Sequence, residues 1–149
     1  MIDADPPRAD LCPSMRYADP NAAIAYLRAA FEFTEHRVDR AADGGVDRAV
    51  LRAGRGFVIL GDRSADERRY RTPQELGGTA TGSCYVGTPD VERRYAAARA
   101  AGALIVRDLA ATKEESLDFS ARDLEGFLWR FGTYRPSALS EATGFDSER

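Results

Sequence analysis

The stretch Cys12-Pro13-Ser14-Met15-Arg16-Tyr17 runs through Asp19-Pro20 into an alanine-rich segment at 22–31. Its plan recurs later in the chain. Ser83-Cys84-Tyr85-Val86 runs through Asp90 into a second alanine-rich segment at 91–101, which ends at Gly102. Each copy reads as a short apolar strand, an acidic or proline cap, a helix and then further strands. The expected fold is therefore α+β. Two tandem βαβββ modules would form a curved mixed sheet around a cavity, and what lines that cavity becomes the functional question.

Local signals place the elements. Residues 11–17 read as the first strand, with Asp19 as N-cap and Pro20 at the first helical position. Ile24, Leu27 and Phe31 recur at helical spacing and mark one apolar face. Residues 33–42 and 46–53 are two extended segments joined by Asp43-Gly44-Gly45, a hairpin signal. Gly56-Phe57-Val58-Ile59-Leu60 is a buried strand closed by Gly61. The second copy repeats the order, with a strand at 83–87, a helix at 89–101 and strands at 103–109, 117–122 and 127–132. The turn before the last strand is Asp123-Leu124-Glu125-Gly126. The expected organisation is a disordered lead at 1–10, a first module at 11–61, a linker or flap at 62–81, a second module at 82–136 and a polar tail at 137–149.

Composition narrows the function classes. The chain has 149 residues, is 44% hydrophobic and carries a net charge of −3. Acidic and basic residues are interspersed, so there is no basic face for nucleic acid. No apolar run reaches the ~20 residues that span a bilayer, and the N-terminus has no secretory pattern. The expected location is the cytoplasm, and the Arg- and Ala-rich usage fits a bacterial genome of high GC content. The two cysteines, Cys12 and Cys84, lack metal spacing. Cys84 is expected to face away from the side of its strand that matches Cys12, so no disulfide is expected.

The sequence resembles the vicinal oxygen chelate superfamily of glyoxalases, bleomycin resistance proteins and extradiol dioxygenases. The marks are Asp19 with Ala22-Ala23-Ile24-Ala25-Tyr26-Leu27, Gly54 before Phe57-Val58-Ile59-Leu60-Gly61-Asp62, and Asp90-Val91-Glu92 with Ala101-Gly102-Ala103. The strongest is Arg122-Asp123-Leu124-Glu125-Gly126-Phe127-Leu128-Trp129-Arg130-Phe131-Gly132-Thr133-Tyr134. The resemblance implies a divalent metal on four strand positions, usually His, Gln or Glu. Aligning each strand by the Asp and Gly that follow puts those positions at Cys12, Ile59, Ser83 and Arg130. None is a usual ligand, and a guanidinium repels a cation. The chain holds one histidine, His36, so a site with two histidines is excluded. No metal and no other cofactor is expected.

The candidate ligand-binding residues are Cys12, Arg16, Arg48, Ile59, Ser83, Tyr70, Phe119, Leu128, Arg130 and Tyr134; no catalytic residue is assigned. Arg16, Arg48 and Arg130 are expected to converge on the cavity, where guanidinium forks suit carboxylate or phosphate. Strand alternation turns Leu128 and Arg130 to the cavity and Trp129 and Phe131 to the helices. Tyr26, Phe31, Phe57 and Tyr95 are expected in the core. By resemblance, the expected function is metal-free binding of a small organic molecule by a homodimer, as in bleomycin-type antibiotic resistance. The alternative is a glyoxalase- or dioxygenase-like lyase or oxidoreductase with an atypical or misaligned metal site.

Overall fold

The computed structural model describes residues 9–113 and 115–136. Most of the expected lead at 1–10 and all of the tail at 137–149 lie outside them. The first module comprises β1 (Ser14–Tyr17), α1 (Pro20–Phe31), β2 (Thr34–Arg40), β3 (Val46–Ala53) and β4 (Gly56–Asp62). The second comprises β5 (Ser83–Gly87), α2 (Val91–Ala100), β6 (Leu104–Ala111), β7 (Leu117–Arg122) and β8 (Leu128–Gly132). Each module forms a four-stranded mixed sheet, in order β1-β4-β3-β2 and β5-β8-β7-β6. In each, the first strand pairs in parallel with the last. The duplicated βαβββ plan is thus realised as two sheets. No helix is long and apolar enough to cross a membrane.

The caps act as their sequence suggests. Asp19 accepts a 3.0 Å hydrogen bond from the Ala22 amide, and Pro20 opens α1. Ala23, Ile24, Leu27, Ala30 and Phe31 form its buried face. Glu32 ends the helix in the left-handed region at φ 56°. The helices pack on one another, and the Arg94 guanidinium donates 2.7 Å to the Phe31 carbonyl.

One aromatic core joins the modules. Phe33 packs edge-on against Trp129 with centroids 5.2 Å apart, and Phe119 stacks on Phe131 at 5.0 Å. Phe119, a cavity candidate on sequence grounds, has no exposed surface and is a core residue. On β7 the period of two turns Phe119 and Ala121 toward the helices and leaves Asp118 and Ser120 on the other face.

The turn between β7 and β8 clasps the first module. Asp123 accepts hydrogen bonds from the Tyr17 hydroxyl at 2.7 Å and the Trp129 indole at 3.0 Å. The Glu125 carboxylate accepts from the Ala18 and Asp19 amides, both at 2.8 Å. The motif that most resembles the superfamily in sequence therefore holds the two modules together. The segment between the modules docks on the same turn: Thr72 is buried, and the Gln74 amide donates 3.0 Å to the Glu125 carbonyl.

Candidate functional site

The outward faces of the two sheets form two open hollows. The first, about 620 Å³, is lined by Cys12, Arg48 and Ile59 with His36, Arg52 and Phe57 among others. It belongs to the first module. The second, about 690 Å³, is lined by Arg130 and Tyr134 with Tyr85, Arg107, Lys113 and Asp118 among others. A groove of about 510 Å³ runs where the modules meet, between Phe57 and Val58 on one side and Cys84, Tyr85 and Trp129 on the other. Phe57 is shared by the groove and the first hollow, and Tyr85 and Tyr134 by the groove and the second.

This geometry distributes the sequence candidates. Cys12, Arg48 and Ile59 come together; Arg130 and Tyr134 come together elsewhere; Ser83 lines neither hollow. Ser83 opens β5 opposite Leu128, a half-buried residue, while Tyr85 is the partner of Arg130. Arg16, Arg48 and Arg130 do not share a hollow within one chain. Arg16 lies flat against Gly61, where a Cβ would meet its guanidinium nitrogen at 2.5 Å. Its guanidinium stacks on the Tyr70 ring at 5.5 Å and donates to the Asp62 carbonyl at 3.4 Å. Arg16 and Tyr70 are thus brought together, but away from both hollows. The two cysteines are unpaired. Burial pushes the Cys84 thiol up, with the Asp123 charge adding to the effect.

Phe57 departs from its expected core place. It is half-buried in the hollow, with the His36 ring 5.0 Å away and the Arg52 guanidinium 5.3 Å from its centroid. The period-two alternation of β4 buries Val58 and Leu60 and turns Phe57 and Ile59 outward.

The second hollow is built around an ion triad. Asp118 is 2% exposed and accepts a 3.0 Å hydrogen bond from Arg130 and another from Arg107. Arg130 lies under the Tyr85 ring at 5.7 Å, and the Tyr85 hydroxyl donates 2.9 Å to the Tyr134 carbonyl. Burial raises the Tyr85 phenol, and the Asp118 charge raises it further. Gly132, opposite Asp118 on β8, leaves room for this arrangement. A Cβ there would meet the Tyr85 oxygen at 2.5 Å and Asp118 Cβ at 2.9 Å. Sequence reading missed Tyr85, Arg107 and Asp118. The signal was the acidic residue in the alternating run Leu117-Asp118-Phe119-Ser120, on the polar face of β7.

The sequence profile of the Glyoxalase/Bleomycin resistance protein/Dioxygenase superfamily matches residues 13–131. The chain belongs to this superfamily. No curated protein matches it by sequence. Among solved structures it is similar to TioX from Micromonospora sp. ML1, at 26% identity and a TM-score of 0.65, over 87% of this chain and 98% of that one. It is also similar in fold to a glyoxalase I variant from Zea mays, at 18% identity and a TM-score of 0.62. That match covers 83% of this chain and 44% of the maize protein. A third is FosX, the fosfomycin resistance protein of Listeria monocytogenes, solved with Mn(II). It has 12% identity and a TM-score of 0.58, over 83% of this chain and 88% of that one.

Superfamily membership raises the question of a divalent metal, and the donor set answers it. The positions expected from the sequence to be ligand slots, Cys12, Ile59, Ser83 and Arg130, offer a thiol, an alkyl chain, a hydroxyl and a guanidinium. Among the described residues, no three His, Cys, Asp or Glu side chains gather where they could hold a metal ion. Asp118, the carboxylate nearest Arg130, already spends both oxygens on guanidinium groups. These residues do not fit a divalent cation bound in the usual slots.

Proposed function

We propose that this protein binds a small organic molecule without a metal and sequesters it, acting as a homodimer. The observation that carries the reading is Arg130. The strand alignment made from the sequence matches it to a slot where superfamily metalloenzymes present a ligand, and Asp118 and Tyr85 hold it in place. A guanidinium fixed at the floor of a concave, partly aromatic hollow suits ligand anchoring. The two hollows on one chain are both open, which supports a dimer in which each is covered by a second copy. The reading extends to a cytoplasmic bacterial protein, supported by two unpaired cysteines. Relation to antibiotic resistance is part of the proposal, supported by likeness to the superfamily's resistance proteins.

A thermal-shift screen with antibiotics and flat aromatic metabolites tests the reading, alongside size measurement by light scattering. A raised melting temperature with at least one compound, on a dimeric species, is the expected result. No shift with any compound at concentrations well above micromolar would remove its support. Elemental analysis of untagged protein addresses the enzymatic alternative. One equivalent of zinc, nickel, iron or manganese surviving dialysis would favour a lyase or oxidoreductase with an atypical site.

A further inference from the structure

We infer that the second hollow is an oxyanion subsite, in which Arg107 and Arg130 together grip a carboxylate or phosphoryl group on a flat aromatic ligand. The inference rests on the ligand-binding reading above and names the chemistry of its ligand.

Arg107, Asp118 and Arg130 stand on three neighbouring strands. Ser120 is the register partner of both Arg107 and Arg130, so the two arginines flank β7 at one level. Their side chains converge on Asp118, one on each carboxylate oxygen. Asp118 is 2% exposed, whereas Arg107 and Arg130 remain 45% and 44% exposed. The carboxylate therefore sits behind the guanidinium groups and fixes their rotamers. A guanidinium carries five N–H donors, and Asp118 occupies few of them. Both half-exposed arginines line the hollow, which leaves donors for a ligand. Among the described lining residues, Lys113 adds a third cation and Asp118 is the one carboxylate. An anion entering here meets positive charge that is already oriented, so little side-chain entropy is lost on binding.

The aromatic part follows from Tyr85. Its ring covers the Arg130 guanidinium, and its hydroxyl is tied to the Tyr134 carbonyl. Tyr85 also lines the neighbouring groove beside Val86 and Trp129. A ligand held by its anion at the arginines extends its flat body along Tyr85 into that groove. Asp118 is a positioning residue in this scheme, since it acts through the arginines.

Calorimetric titration of the full chain with 2-naphthoate, 2-naphthyl phosphate and the neutral 2-naphthamide tests the inference. At least one acid is expected to bind at least about tenfold more tightly than the amide, or about 1.4 kcal/mol. The tighter acid identifies the anion as carboxylate or phosphoryl. Arg107→Gln and Arg130→Gln should each weaken that acid about tenfold and leave the amide unchanged. Arg107 lies on the edge strand, so Arg107→Gln carries the test if Arg130→Gln does not fold. Equal affinity for acid and amide would overturn the inference. So would acid binding that ignores the Arg107 substitution, or no binding of either acid in the millimolar range. If neutral compounds stabilise the protein while both acids fail, the oxyanion subsite falls and the sequestering function stands.

Discussion

The Tyr17 hydroxyl donates a 2.7 Å hydrogen bond to Asp123 Oδ2 across the boundary between the two modules, and both side chains are buried. Neither group can turn to water when the bond is lost, because each lies under the aromatic core. Burial and the Asp123 charge raise the Tyr17 phenol well above its ordinary value. The bond therefore contributes to module docking as a charge-assisted contact in a dry setting.

Substitution at this pair should separate its parts. Tyr17→Phe removes one donor and should cost about 1–3 kcal/mol. Asp123→Asn should cost more, because it sets more than one buried donor without an acceptor, at about 1–3 kcal/mol each. Among the described residues, four N–H or O–H donors bond to this carboxylate, and the new amide would point a donor at some of them. Urea unfolding of the three proteins checks the order. Equal midpoints for wild type and Asp123→Asn would refute the clasp.

Asp123 also sets a pH dependence. Desolvation raises its carboxyl above 3.8, although hydrogen bonds from Trp129 and Tyr17 pull the other way. The folded state therefore holds the proton to higher pH than the unfolded chain does. Its contribution to stability is fully present below about 3.8 and is lost as pH rises through the folded value. A carbon-detected titration of the Asp123 carboxyl should give a midpoint above 3.8. A midpoint at or below that value would contradict the desolvated environment.

Gly132 has a steric role that alanine cannot fill. A Cβ there would lie 2.9 Å from the Leu117 carbonyl, besides its clashes with Tyr85 and Asp118. Gly132→Ala should destabilise by about 1–3 kcal/mol through overpacking. It should also displace the Tyr85 ring from Arg130. Thermal unfolding and a crystal structure of the variant check both effects; an unmoved ring at unchanged stability would show that the strands give way freely.

The donor set predicts indifference to chelators. Dialysis of untagged protein against EDTA should leave the melting temperature unchanged within about 1 °C, since no metal contributes binding energy to the fold in the proposed function. A fall of several degrees that zinc or manganese restores would reveal a site that the strand alignment overlooks.

Several features were legible in the residues alone. Asp19 and Pro20 announce α1, Asp43-Gly44-Gly45 announces the first hairpin, and the two copies of the plan announce two like modules. These signals act within a few residues, through backbone caps, turn dihedrals and side-chain periods. The absence of usual ligands at Cys12, Ile59, Ser83 and Arg130 is equally a property of the sequence. Tertiary structure decided where those positions go. Cys12 and Ile59 open into one hollow and Arg130 into another, because the way the modules dock turns their outward faces to different hollows. It also made Phe119 a core residue, brought Phe57 out to a hollow, and set Asp118 between two arginines. Those outcomes depend on strand register and on packing between distant segments, and the short-range code of the chain carries neither.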